Sequence, residues 1–332
     1  MNLTNLKTAI HTAFASDTLR RRALFILGPS GVGKSQAVAQ VAAELGVPMI
    51  DMRLAQYDPT DVRGVPEVRD GRTVWAVPAT YPDAATQPRG ILFLDEITSA
   101  PRDVQAVAYQ IVLDRMIGEY SLPDGWLIVA AGNRASDKGV THTMAAPLVA
   151  RMTQVEVTVD AEQWRDHALD IGVRPEVVAF IKHRPDLLHS FDSKTTGPFP
   201  NPRSWVAVSD LLAASLPPAV RNEMIQGCVG AEAGMMFESL MRYFDAMPTF
   251  DTIVSDPDNA RLPENTSVAY GVATLIIARA KREHADAIWT YIQRLSREVQ
   301  AFVMPQLAKR IDKFDRTVAY GEWQANNIDL AK

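Results

Sequence analysis

The sequence predicts an α/β protein with a parallel-sheet core over residues 1–159, followed by a mostly helical second half. Three observations predict it. Short apolar runs alternate with helical periodicity in the first half, as in a parallel sheet joined by crossover helices. A glycine-rich segment, Gly28 to Lys34, joins the first apolar run to the first of these helices. From Asp160 on, the apolar residues belong to long helical stripes.

Five strands are expected: Ala23–Leu27, Pro48–Leu54, Ile91–Leu94, Leu127–Ala131 and Gln154–Val159. The third and fourth are continuously apolar, as strands buried on both faces are. The fifth alternates through Val155, Val157 and Val159, which suits a sheet edge. Between strands one and two, Ala37, Val38, Val41, Ala42 and Leu45 fall at helical spacing and Gly46 supplies a stop. After strand three, Val104, Val107, Ala108, Ile111 and Val112 form a second stripe, with Pro101 in a favoured early position. Asp70-Gly71 between strand-like flanks marks a hairpin. In the second half, Leu275, Ile276, Ile288, Ile292, Leu295, Val299 and Phe302 lie on periodic segments. Two proline-rich breaks interrupt it, at 197–202 and 256–263.

Composition narrows the classes. At 332 residues, 47% hydrophobic and 22% charged, the chain is an ordinary globular protein, long enough for about two domains. Lys and Arg number 34 against 39 Asp and Glu, a net charge of -5. That balance opposes whole-surface attraction to nucleic acid or anionic lipid and leaves only a local basic patch for such a role. One cysteine, Cys228, excludes an intramolecular disulfide and a Cys-rich metal site. It reads as a small buried apolar residue in a reducing compartment. No apolar run reaches the roughly 18 residues of a membrane span. Met1–Phe14 lacks a basic start followed by an apolar stretch. The expectation is a cytoplasmic protein without membrane insertion.

Gly28-Pro29-Ser30-Gly31-Val32-Gly33-Lys34-Ser35 fits G-x-x-x-x-G-K-S at every fixed position, after a strand and at the opening of a helix. Glycines there let backbone N–H groups turn inward as an anion nest at a helix N-terminus. Lys34 then reaches β- and γ-phosphates, and Ser35 ligates Mg2+. Ile91-Leu92-Phe93-Leu94-Asp95-Glu96 is a buried strand ending in two carboxylates, a costly arrangement unless a cation or water receives them. Asp95 is the candidate metal ligand and Glu96 the candidate base that polarises water. Asn133 follows the apolar strand that ends near Ala131, where a neutral amide can orient that water. A turn-forming role for Asn133 is the competing reading.

In this order and spacing the motifs resemble an AAA+ ATPase, and more narrowly the MoxR-like group of the dynein-related type, over about residues 20 to 300. The resemblance implies a P-loop NTPase fold: a three-layer parallel-sheet core, an all-α lid at 160–250 and a C-terminal helical extension at 251–332. Gly28–Ser35 would be Walker A, Asp95 and Glu96 Walker B, and Asn133 sensor 1. Ala146-Pro147-Leu148-Val149-Ala150-Arg151-Met152 resembles the segment whose arginine reaches the neighbouring subunit's γ-phosphate. Met152 replaces the usual phenylalanine, which changes packing but not charge. Pro202-Arg203-Ser204-Trp205 resembles sensor 2. Arg134 is a second candidate for the trans-acting arginine. Segments 61–78 and 114–123 match the hairpin inserts that in this family face a pore or a partner.

What the resemblance implies is ATP hydrolysis, with ATP and Mg2+ as cofactors, by a homo-oligomer, most simply a hexameric ring. The implied role is a chaperone that remodels a protein client, a von Willebrand factor A domain protein among the client classes. Three alternatives stay open. One is a motor on DNA or RNA, with Arg63, Arg69 and Arg72 tracking phosphates. Another is a P-loop nucleotide kinase such as guanylate kinase. The third is a nucleotide-gated scaffold that hardly hydrolyses. Residues 311–332 carry no motif.

Overall fold

The computed structural model describes residues 1–134, 144, 146–191, 197–244 and 247–327, and of Pro147, Tyr243, Phe244 and Ser267 the backbone only. The chain divides into two compact units, Met1–Asp160 and Ala161–Lys332.

In the first unit, α1 (Leu3–Ala15) and α2 (Asp17–Arg20) lead into β1 (Leu24–Leu27). Then come α3 (Lys34–Leu45), β2 (Met49–Arg53) and α4 (Pro59–Arg63). A hairpin of β3 (Val65–Arg69) and β4 (Arg72–Ala76) precedes β5 (Arg89–Asp95) and α5 (Arg102–Asp114). A second hairpin, β6 (Met116–Ile117) and β7 (Tyr120–Ser121), precedes β8 (Gly125–Gly132). Among the described residues, α6 (Ala146–Arg151) and β9 (Thr153–Glu156) close the unit.

Among the described residues, five strands form one sheet in the order β2-β5-β8-β1-β9, and every pairing in it is parallel. Side chains on a strand alternate between faces, so the apolar strands feed two cores. Phe25, Leu92, Leu94, Ile128 and Ala130 pack with Val104, Ala108 and Ile111 of α5 on one face. Leu24, Ile26, Ile91, Phe93, Leu127 and Val129 pack with α1 and α3 on the other. The result is three layers, with β5 and β8 buried on both faces as their unbroken apolar runs predict.

β9 takes the edge that its alternation predicts, but its ladder stops at Glu156 and not at Val159. The partner runs out: β1 ends at Leu27, whose carbonyl still accepts from Val157 N at 2.7 Å, and Thr158 N turns to Met1 O at 3.0 Å. Gly46 closes α3 in the left-handed region (φ 64°), as its stop signal predicts. Pro101 is the N-cap of α5, with an extended ψ of 149°. Gln105, which a hydrophobic pattern does not single out, is buried in the α5 stripe.

Asp70 (φ 53°) and Gly71 (φ 72°) make the tight turn between β3 and β4. The two hairpins touch. A Cβ on Gly118 would lie 3.3 Å from Trp75, Trp75 N donates to Glu119 Oε2 at 3.4 Å, and the Arg63 guanidinium covers the Trp75 ring at 3.9 Å.

The second unit is helical: α7 (Ala161–Asp170), α8 (Pro175–His183), α9 (Pro202–Ala213), α10 (Pro218–Val229) and α11 (Ala231–Phe244). These are followed by α12 (Phe250–Ser255), α13 (Thr266–Arg279), α14 (Ala285–Ile292), α15 (Arg297–Arg310) and α16 (Val318–Asn326). Trp205 of α9 is fully buried against Phe180 and Phe237, with ring centroids 5.1 and 5.7 Å away. Cys228 is half-buried on α10, not enclosed. Among the described residues, no helix is long and apolar enough to cross a membrane.

Candidate functional site

The site grows from the end of β1. Gly28 N donates to Gly132 O of β8 at 3.3 Å, and a Cβ on Gly28 would sit 2.8 Å from Val157 O. No side chain fits there, because the backbone passes close to Val157, just beyond β9. Gly31 (φ 79°) and Gly33 (φ 96°) take left-handed conformations that turn the loop back on itself. α3 then opens at Lys34 with no side chain capping its first turn. Unsatisfied N–H groups and the helix dipole together favour an anion at such an end. Lys34 is buried, and its Nζ donates to Gly28 O at 2.6 Å, Pro29 O at 3.0 Å and Asn133 Oδ1 at 3.1 Å.

β5 delivers the acidic pair. Ser35 Oγ donates to Asp95 Oδ2 at 2.8 Å, between residues 60 apart in sequence. The other oxygen of Asp95 accepts from Glu96 N at 2.9 Å. Glu96 is exposed, and its backbone is left-handed (φ 57°), an uncommon state for a residue with a side chain. The Asp95 charge is felt on β2: burial first, and then the Asp95 carboxylate, push the Asp51 carboxyl above the usual carboxylate range.

β8 delivers Asn133 at the mouth of the sheet, where its side chain meets Lys34 and its N–H donates to Thr98 Oγ1 at 3.0 Å. The structure therefore brings together Gly28–Ser35, Asp95, Glu96 and Asn133 at the C-terminal ends of β1, β5 and β8, where open α/β sheets bind ligands. Arg134 is held within the same unit, with Nη1 2.9 Å from Glu156 Oε1 of β9. Arg151 is exposed at the last position of α6, while Met152 beside it is buried in the core. Arg203 lies in the second unit, exposed in the first turn of α9. That turn is fixed by a capping box, with Asn201 Oδ1 accepting from Ser204 N and Ser204 Oγ from Asn201 N.

Thr98 and Gln105 belong to none of the motifs. A threonine after an acidic pair and a glutamine in a helical stripe give no signal until the backbone groups they satisfy are known.

The residues present fit a nucleotide triphosphate and magnesium. The uncapped start of α3 and the left-handed glycines suit phosphate oxygens. Ser35 and Asp95 present two hard oxygen donors in contact. Mg2+ demands near-octahedral oxygen coordination and keeps several waters, so two protein oxygens suit an ion that arrives with phosphate.

Residues 23–152 match the AAA domain of the dynein-related subfamily. Over 136 residues the chain is 30% identical to protein NorQ of Paracoccus denitrificans, a stretch covering 38% of this chain and 48% of NorQ. The chain thus spans about half the length of that curated relative. Among solved structures, NtrX of Brucella abortus is similar at TM-score 0.41 and 17% identity, over 90% of this chain and 66% of that one. A RuvB mutant of Thermotoga maritima is similar at TM-score 0.42 and 14% identity, over 77% and 76%.

Proposed function

From the premise that residues 23–152 match the AAA domain of the dynein-related subfamily, we propose that this protein is an ATP-hydrolysing remodelling ATPase of the MoxR-like type. One observation carries the reading: Lys34, Ser35, Asp95 and Asn133 converge through side-chain hydrogen bonds at the uncapped start of α3. A lone phosphate-loop match does not require that convergence.

Each group has a role in this reading. The backbone amides of Gly28–Ser35 bind the phosphates, and Lys34 neutralises their negative charge. Ser35 and Asp95 would hold Mg2+, which would supply positive charge against the triphosphate oxygens. Glu96 takes the proton of the attacking water, and Asn133 aligns that water. Arg151, exposed at the end of α6, completes the pocket of an adjacent copy. Arg203 answers to nucleotide state from a helical lid formed by residues 160–250, with 251–332 as an extension. Activity then requires a homo-oligomer, a ring of six in this reading. The work is done on a protein, a von Willebrand factor A domain partner being the class we favour. The net charge of -5 and the exposed Val65, Val68 and Met116 on the hairpins support a protein client over a nucleic acid.

Phosphate release from ATP and magnesium by the purified protein tests the reading. Turnover is expected, with Glu96→Gln still binding ATP and losing turnover by about 100-fold or more. A Glu96→Gln protein that turns over at the wild-type rate would remove the assigned base. Transfer of phosphate to a nucleotide acceptor in place of release would identify a kinase.

A further inference from the structure

Asn133 stands where its strand has run out of ladder. Gly132, opposite Leu27, is the last residue of β8 paired with β1. A main-chain N–H just beyond needs an acceptor from elsewhere, and the Thr98 hydroxyl supplies it at 3.0 Å. Thr98 is only 6% exposed. It presses on Gly132 so closely that a Cβ there would lie 2.5 Å from Thr98 Cγ2 and 2.7 Å from Oγ1.

The turn that carries Thr98 is itself fixed. It opens at the left-handed Glu96. Ile97 N donates to Ala131 O at 3.0 Å, and Ser99 N and Ala100 N donate to Glu96 O at 2.9 and 3.1 Å. From α5, the buried amide of Gln105 donates to Ile97 O at 2.9 Å and Ala100 O at 3.2 Å, and Tyr109 O–H donates to Gln105 Oε1 at 2.8 Å.

We propose that Thr98 is a positioning residue for the hydrolytic pair, Glu96 and Asn133. The inference rests on the hydrolytic reading above. Thr98 acts through a single hydroxyl that ties the end of β8 to the turn that opens with Glu96. Base and water-aligning amide therefore keep a fixed spacing. Because Asn133 Oδ1 also meets Lys34 Nζ at 3.1 Å, the same tie reaches the phosphate loop. Two groups acting on one water tolerate little drift, since a displacement of about 1 Å costs about 100-fold in rate. Valine has the shape of threonine but leaves the Asn133 N–H without its acceptor.

Thr98→Val and Thr98→Ser are compared in two assays: steady-state ATP hydrolysis, and amide hydrogen exchange over residues 127–134 in the nucleotide-free protein. In Thr98→Val we expect kcat to fall about tenfold or more with KM within about threefold. Exchange at Asn133 should quicken by about tenfold or more. Thr98→Ser, which keeps the oxygen, should return both to near wild type. Unchanged kcat in Thr98→Val overturns the inference even if exchange quickens, because the contact is then structural only. Unchanged exchange, or an equal loss in Thr98→Ser, overturns it as well. If Thr98→Val does not fold, Thr98→Ala removes the hydroxyl without added bulk and is read against Thr98→Ser in the same way. A wild type that releases no phosphate while its exchange responds to Thr98→Val rejects the hydrolytic reading, and the positioning role with it.

Discussion

Glu96 holds a backbone conformation that an L side chain adopts at a cost of about 1–2 kcal/mol, φ 57° at the end of a buried strand. Backbone strain of this kind persists only where the surroundings over-determine it, and here the hydrogen bonds of Glu96 N and Glu96 O do so. Stability and activity should therefore separate at this position. Glu96→Gly relieves the strain and should raise the unfolding free energy by up to about 1 kcal/mol, whereas Glu96→Gln keeps the Cβ and should leave it unchanged. Both should lose turnover. Thermal unfolding decides the matter, and a Glu96→Gly protein less stable than wild type contradicts the strain argument. At Lys34, removal of the ammonium by Lys34→Ala should weaken ATP binding by about tenfold or more, measured by direct titration. Equal affinity would mean that the lysine does not meet the phosphates.

At the scale of elements, the two hairpins are joined through Trp75. Its ring lies under the Arg63 guanidinium and against Gly118, and its backbone N–H donates to Glu119. Trp75→Ala removes the stacked surface and should cost about 1–3 kcal/mol locally. Limited proteolysis should then cut within 61–78 and 114–123 sooner than in wild type. Equal protection of both segments would show that the hairpins are independent. α9 offers a parallel case. Its first turn carries Arg203 and is set by the reciprocal bonds of Asn201 and Ser204. Asn201→Ala should cost about 1 kcal/mol of stability, and in the proposed mechanism it should reduce turnover with ATP affinity less affected. Unchanged unfolding in the variant would mean that the cap adds nothing.

At the scale of the whole molecule, the exposure of Arg151 at the end of α6 has a consequence if the pocket is shared between copies. A subunit carrying Arg151→Ala retains its own Glu96, and one carrying Glu96→Gln retains its own Arg151. Each is expected to be inactive alone. In an equal mixture, a working pocket forms wherever the first is followed by the second, half times half, or about a quarter of the pockets in a ring with head-to-tail interfaces. Phosphate release by the mixture should recover to about that fraction. No recovery on mixing would place the Arg151 role within one chain or nowhere.

Much of this protein is fixed by local chemistry that a sequence displays. The phosphate loop needs left-handed glycines and a strand–helix junction, and Gly28–Ser35 declares both. The layer order follows from unbroken apolar runs at β5 and β8 and alternation at β9. The hairpin turn at Asp70-Gly71 follows from the residues that tolerate positive φ. The tertiary structure decided matters that depend on residues distant along the chain. Ser35 and Asp95, 60 residues apart, and Lys34 and Asn133, 99 apart, meet only because β5 and β8 lie beside β1. Arg134 found Glu156 because β9 closes the sheet beside β1. Thr98 and Gln105 acquired their roles from backbone groups that only folding leaves without partners. A pattern of residue types records what each stretch of chain prefers. Which orphaned donor or acceptor it must answer is set by strand order and by where each ladder ends.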